Sequence, residues 1–224
     1  MSVGIVGLGA GTLAVYGREG DLFRFFEIDP QMIQVATNPQ LFSFLPDALC
    51  AIDFIPGDAR RMLEVERAKG DPLYDLLVID AYSGDAVPYH LVTREAFHLY
   101  LDRLAPDGIL AVHISNWHID LLPVCKAVAN DLSVYAHGTI GYTDSVITGG
   151  SIWVFMTRQP ISYRYPNPEK ISLVNWKHVR DIRILTDDRG SLLPLLRKTN
   201  EKNHRFSFVS RGAGGCRALQ NPCR

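Results

Sequence analysis

VGIVGLGAG at residues 3–11 and FFEIDP at residues 25–30 decide the fold. Residues 3–6 are a short apolar run that stops at glycines, the pattern of a buried strand. In Gly7-Leu8-Gly9-Ala10-Gly11 the glycines allow torsions that other residues avoid and let a backbone come close to a ligand. Residues 12–17 then read as a short helix and residues 22–28 as a second strand. Asp29 is a good N-cap and Pro30 suits the first helical position, so a helix begins there. Glu27 follows Gly7 by 20 residues, at the end of the second strand. A carboxylate placed there can accept both hydroxyl protons of a ribose. Alone, Glu27 would be a solvated strand end and the glycines a bare turn; together they predict nucleoside binding.

Working outward, residues 51–55 read as the third strand. Gly57-Asp58-Ala59 turns into a helix through about Lys69. Residues 76–80 form an unbroken apolar run ending in Asp80, as expected of a central parallel strand covered on both faces. A helix over 93–104, a turn at Pro106-Asp107-Gly108, a fifth strand over 109–114 and a helix over 121–132 follow. Residues 133–140 and 151–157 are the last two strands. Strands alternating with helices predict a Rossmann-like α/β domain: a mostly parallel sheet with right-handed crossovers and helices on both faces. Residues 160–170, rich in Pro, Tyr and Asn, mark the end of the regular core, and a smaller piece follows at 185–196. The expected organisation is one domain over 1–196 and a basic, then Gly-rich, disordered tail over 197–224.

Composition excludes several classes. The 224 residues are 47% hydrophobic and 21% charged, ordinary for a globular domain. A formal net charge of −1 argues against a general nucleic-acid binder, which needs a basic surface. No apolar run approaches the roughly 20 residues of a membrane span. Met1 leads almost directly into a strand and a glycine loop, so no signal peptide is expected. Cys50 and Cys125 lie in apolar surroundings and read as buried structural thiols. Cys216 and Cys223 match no compact zinc signature, and no metal is expected. A reducing, cytoplasmic compartment is the default.

Two further motifs carry chemistry. Asp58 can accept from an adenine amino group while the Ala59 N–H bonds a ring nitrogen; Asp58 also suits a helix N-cap, and the two roles are compatible. The glycine loop has Thr12 where a dinucleotide fingerprint has its last glycine, and no Walker element occurs, so a nucleoside without a diphosphate is favoured over NAD or ATP. Asp80-Ala81-Tyr82-Ser83-Gly84-Asp85 lies at the carboxyl end of the fourth strand, where open α/β sheets bind ligands. Its carboxylates, with the hydroxyls of Tyr82 and Ser83, suit a cationic amine and can receive a proton. His90, His98, His113 and His118 show no metal-ligand spacing and read as structural. Trp117, Trp153 and Trp176 read as packing residues.

These motifs, in this order, resemble the spermidine synthase-like family of polyamine aminopropyltransferases, with the nearest likeness to bacterial members in which this domain follows a transporter-like membrane region. The matching stretches are VGIVGLGAGTLAVYG, FFEIDPQMIQVA, GDARRML, YDLLVIDAYSGDAVPYHLVTREAF, LAPDGILAVHISN and LTDDRGSLLPLL, covering roughly residues 3–196. The resemblance implies a class I methyltransferase-like sheet of seven strands with the last, 151–157, antiparallel. It implies that Gly7, Gly9, Gly11 and Glu27 hold the methionine-derived part and ribose, and Asp58 the adenine. Asp80 would be the catalytic carboxylate and Asp85 would assist amine binding. The co-substrate would be decarboxylated S-adenosylmethionine, or S-adenosylmethionine itself; the partner a small-molecule amine such as putrescine; and a homodimer is one candidate assembly.

The sequence departs from the family's usual pattern in three ways. Ala10 stands where an Asp usually binds the donor's amine. Asp80 and Asp85 are spread wider than a compact paired-aspartate motif. The N-terminal β region of the family precedes nothing here, which suggests a fragment of a longer protein. A methyltransferase and a non-catalytic nucleoside-binding domain are therefore the alternatives to aminopropyl transfer.

Overall fold

Strand β1, Ser2–Val6, is buried along all but its first residue. It pairs in parallel with β2, Leu22–Glu27, on one side and with β4, Tyr74–Ile79, on the other. β2 in turn pairs in parallel with β3, Ala51–Pro56. The computed structural model describes residues 1–81, 87–141, 150–160 and 170–197. It divides into two compact units: Met1–Leu91 with Ala96–Ala111, and Val92–Glu95 with the chain from Val112 onward.

In the first unit the hydrogen-bonded strand order is β3-β2-β1-β4-β5, where β5 is Leu104–His113. The chain thus winds outward from β1 to β3 and returns to the other side of β1. That reversal is a topological switch point, the place where open α/β sheets bind ligands at the carboxyl ends of their strands. The helices start as their caps dictate. Asp29 accepts from Gln31 N–H ahead of α1, Pro30–Ala36, and Asp58 accepts from Arg61 N–H ahead of α2, Ala59–Lys69. Gly70, in the left-handed region, closes α2.

Within this unit a buried ionic cluster that sequence reading missed ties β2, α2 and β4 to Arg103, the residue after α3, Arg94–Asp102. Glu66 Oε1 accepts from Arg24 at 2.6 Å, and the Tyr74 hydroxyl donates to the same carboxylate at 2.9 Å. Arg103, just past α3 and with its side chain 2% exposed, donates to the carbonyls of Asp71 and Pro72 at 3.0 and 2.7 Å and lies over the Tyr74 ring. Burial, reinforced by the Glu66 carboxylate, pushes the Tyr74 phenol up and keeps it a donor. Charges can be buried here because each has partners; removing one would strand the others.

The second unit holds α4, Leu122–Asp131, and the antiparallel strands β6, Tyr135–Gly141, and β7, Ser151–Thr157. Within this unit the strand order is β7-β6-β8. The expected antiparallel seventh strand is present. An eighth, β8, Ile171–Leu173, pairs antiparallel with Thr139–Gly141, beyond the point where the regular core was expected to end. Three residues after a Pro-rich stretch are too short to show a period of two. The segment around Leu185-Thr186-Asp187 is latched to the start of α3. Arg94 N–H donates to Leu185 O at 2.8 Å, the Thr93 hydroxyl to Asp187 at 2.7 Å, and Asp187 N–H to Glu95 at 3.0 Å. Arg197 N–H donates to His118 O at 2.7 Å; residues 198–224 lie outside the described residues.

The fifth strand begins earlier than expected and its span takes in the turn at Pro106-Asp107-Gly108, because main-chain pairing starts with Tyr74 N–H donating to Arg103 O at 2.9 Å. The chain is still folded tightly there: a Cβ on Gly108 would stand 2.8 Å from Tyr74 O and 3.1 Å from Ala105 N and O. Trp117 is not a packing residue; it is 66% exposed, in the loop beyond β5, where no strand or helix periodicity turns it inward. Trp153 does pack, stacked on His113 with ring centroids 4.7 Å apart. Cys50 and Cys125 are free and buried as expected, and burial pushes the Cys125 thiol up to about 12.

At residue 7 the contact between β1 and β4 leaves no room for a side chain. Gly7 has φ +97°, and a Cβ there would collide with the Asp80 carbonyl. Gly20 has φ +85° but open space around it. Gly20→Ala should therefore cost only the left-handed backbone penalty, about 1–2 kcal/mol. Gly7→Ala should cost a further 1–3 kcal/mol or so for the collision. Urea denaturation of both variants measures the difference; equal losses would show that the β1–β4 contact gives way freely.

Candidate functional site

The carboxyl ends of four strands are stitched by main-chain hydrogen bonds. Asp80 N–H donates to Val6 O at 2.9 Å, Gly7 N–H to Phe26 O at 2.9 Å, and Gly57 N–H to Glu27 O at 2.8 Å. Residues from β4, β1, β2 and β3 thus meet in one row, all within the first unit: Asp80, the glycine loop, Glu27 and Asp58.

The three loop glycines do different things. Gly7 is pressed against Asp80. Gly11, φ +78°, lies under Leu45, whose Cγ would be 2.5 Å from a Cβ at that position, and it opens a 3-10 helix at Thr12–Tyr16. Gly9, φ +53°, has nothing within 4 Å of where a Cβ would be. Two of the glycines therefore satisfy packing, and Gly9 alone of the three borders open space.

Glu27 is buried, and both of its carboxylate oxygens are engaged. Oε2 accepts from Leu8 N–H at 3.0 Å and Oε1 from Asp29 N–H at 2.9 Å. The carboxylate joins the glycine loop to the start of α1. Each oxygen keeps a further lone pair, so these bonds orient Glu27 without exhausting it. Ile28, next in sequence, is 69% exposed and puts an apolar side chain at the edge of the row.

Asp58 is a helix cap, as one of its two expected roles requires: Oδ1 accepts from Arg61 N–H at 2.9 Å. Oδ2 meets His90 Nε2 at 2.8 Å, a pairing that sequence reading did not find. No sequence signal marks it, because the partners are 32 residues apart and only the fold joins them. Ala59 is the first residue of α2, where backbone N–H groups lack intrahelical partners. Asp80 lies immediately past β4 and is half-buried. Tyr82, Ser83 and Asp85 lie outside the described residues. Among the described residues, no three His, Cys, Asp or Glu side chains are placed to hold a metal ion, and no helix is long and apolar enough to cross a membrane.

No protein-family model matches the chain. Over 113 residues it is 33% identical to a polyamine aminopropyltransferase of Vibrio vulnificus. That stretch is 49% of this chain and 36% of the relative, so the chain covers about a third of the relative's length. Three solved structures share the fold. A probable spermidine synthase from Corynebacterium glutamicum matches with a TM-score of 0.58 at 15% identity, over 85% of this chain and 75% of that one. Human methyltransferase-like protein 13, in complex with SAH, matches with a TM-score of 0.53 at 21% identity, over 75% and 76%. Spermidine synthase from Thermotoga maritima matches with a TM-score of 0.51 at 18% identity, over 89% and 66%. The structural likenesses establish the α/β Rossmann-like fold of methyltransferases and spermidine synthases, and the sequence likeness supports the spermidine synthase-like family.

Glu27 holds two backbone donors. Glu27→Gln supplies one acceptor oxygen and turns an NH2 group on the other donor. The ligand-free protein should lose about 1–3 kcal/mol, the cost of an unsatisfied buried donor. Chemical denaturation without nucleoside reads this directly; unchanged stability would show that the contacts to Leu8 and Asp29 hold nothing in place.

Proposed function

We propose that the chain binds decarboxylated S-adenosylmethionine at the carboxyl ends of β1–β3 and transfers its aminopropyl group to a polyamine such as putrescine, releasing methylthioadenosine. The observation that carries this reading is the row of main-chain bonds placing Asp80 one strand away from a nucleoside-type glycine loop. The likeness to a polyamine aminopropyltransferase supports that transfer over methyl transfer.

On this reading the donor lies across Gly9, where the loop borders open space. Glu27, oriented by two backbone amides, turns its remaining lone pairs to the ribose hydroxyls. Asp58 accepts from the adenine amino group, the Ala59 N–H meets a ring nitrogen, and Ile28 gives the base an apolar surface. In the reaction the lone pair of a neutral amine attacks the methylene carbon bonded to sulfur. The carbon–sulfur bond breaks, its electron pair stays on sulfur, and the positive charge passes to the product ammonium, while Asp80 holds the proton that the substrate ammonium lost before attack. Alkylamines are mostly protonated near neutral pH, so a carboxylate that takes a proton and orients the nitrogen raises the reactive fraction. Asp85, with Tyr82 and Ser83, would hold the amine. Alignment of nitrogen, carbon and sulfur supplies much of the remaining acceleration.

Asp80→Asn keeps shape and removes the proton acceptor. It should lower aminopropyl transfer by about 10²–10⁴-fold and leave methylthioadenosine affinity nearly unchanged. The check is mass spectrometry of products with putrescine and each donor in turn. Methylthioadenosine with an aminopropylated amine is the expected result. S-adenosylhomocysteine with a methylated product would make the chain a methyltransferase. Tight nucleoside binding with no turnover from either donor would leave a non-catalytic binding domain.

A further inference from the structure

Asp58 faces two demands. It must cap α2, and on the proposed reading it must present an acceptor to the adenine amino group. A carboxylate held through one oxygen can still turn about its last side-chain bond, and a turned carboxylate would present a different lone pair to the base. The structure removes that freedom with a second donor. Oδ1 takes Arg61 N–H at 2.9 Å, and Oδ2 takes His90 Nε2 at 2.8 Å. A carboxylate oxygen requires a donor opposite it, so Nε2 carries the hydrogen in this pair.

His90 is itself held. It lies in a short 3-10 helix, Tyr89–Leu91, that turns back on itself, with Leu91 N–H donating to Pro88 O at 3.0 Å. Leu91 is buried, and its carbonyl accepts from the buried Tyr100 hydroxyl at 3.2 Å. Arg60, in the first turn of α2, donates to the His90 carbonyl at 2.9 Å. The same end of α2 therefore grips both the main chain and the ring of His90. The ring is half-exposed, 48% against 32% for Asp58, so burial of apolar surface does not account for its position; the Asp58 contact does.

We propose that His90 is a positioning residue for base recognition: by holding Asp58 Oδ2, it aims the remaining acceptor lone pairs at an exocyclic amino group and makes the site selective for 6-amino over 6-oxo purines. This rests on the reading of Asp58 as the adenine contact. An amino group donates to the carboxylate, whereas a 6-oxo group sets acceptor against acceptor. The discrimination depends on how firmly the carboxylate is aimed.

Calorimetric titration with methylthioadenosine and methylthioinosine tests this on wild type, His90→Ala and His90→Gln, with melting temperatures recorded for each. Wild type should prefer methylthioadenosine. His90→Ala should reduce that preference about three- to tenfold, the range expected for freeing one oriented side chain. His90→Gln, which restores an N–H donor, should recover part of it. A purely structural role for His90 would lower melting temperature and both affinities together and leave their ratio unchanged, which would overturn the inference. If His90→Ala keeps the wild-type ratio while Asp58→Asn loses it, the inference falls and the nucleoside site stands. If wild type binds neither compound, the reading of the site falls, and this inference with it.

Discussion

At the carboxyl ends of β1 and β4 the main chains touch so closely that residue 7 can carry only hydrogen. The Asp80 N–H donates to Val6 O, and the Asp80 carbonyl occupies the place where a Gly7 side chain would begin. This contact does three things. It closes the switch point between the outward-wound strands and the returning ones. It forces the chain after β1 into a left-handed turn, which starts the glycine loop. It also sets the backbone of the residue that ends β4 against that loop, which fixes the base from which the Asp80 side chain projects.

Glu27 extends the same logic across the sheet. Its carbonyl accepts from Gly57 N–H, and its side chain accepts from Leu8 and Asp29. One buried acid thereby sets the spacing between the ends of β1, β2 and β3. Any ligand met by Glu27 meets a group already oriented by the fold, so little ordering remains to be done on binding. Asp58 follows the same rule at the end of β3, with a helix amide and an imidazole as its fixed donors.

The fold was largely legible because its signals are local. An apolar run ending in glycines, an Asp-Pro helix start and an unbroken apolar β4 each report on their own neighbourhood. Of the candidate site, the positions were legible where they follow from a strand end, as for Glu27, Asp58 and Asp80. What escaped depends on residues far apart in sequence. The pairing of His90 with Asp58, the latch of Asp187 on Thr93, and the Arg24–Glu66–Tyr74–Arg103 cluster leave no periodic trace, because each joins elements that only the folded chain brings together. Arg24, Glu66 and Arg103 look like surface charges in the sequence; partners to bond with are what allow their burial. β8 escaped for the opposite reason, being too short to carry a pattern, and Trp117 because residue type alone favours the interior.

The proposed nucleoside site is the row formed by the glycine loop, Glu27 and Asp58. Amide hydrogen–deuterium exchange, followed by mass spectrometry with and without saturating methylthioadenosine, tests it without needing turnover. Slowed exchange is expected in three separated segments, residues 7–12, 27–31 and 57–62, with no comparable change in β6 or β7. Protection confined to other segments, or none at a concentration where calorimetry shows binding, would contradict it.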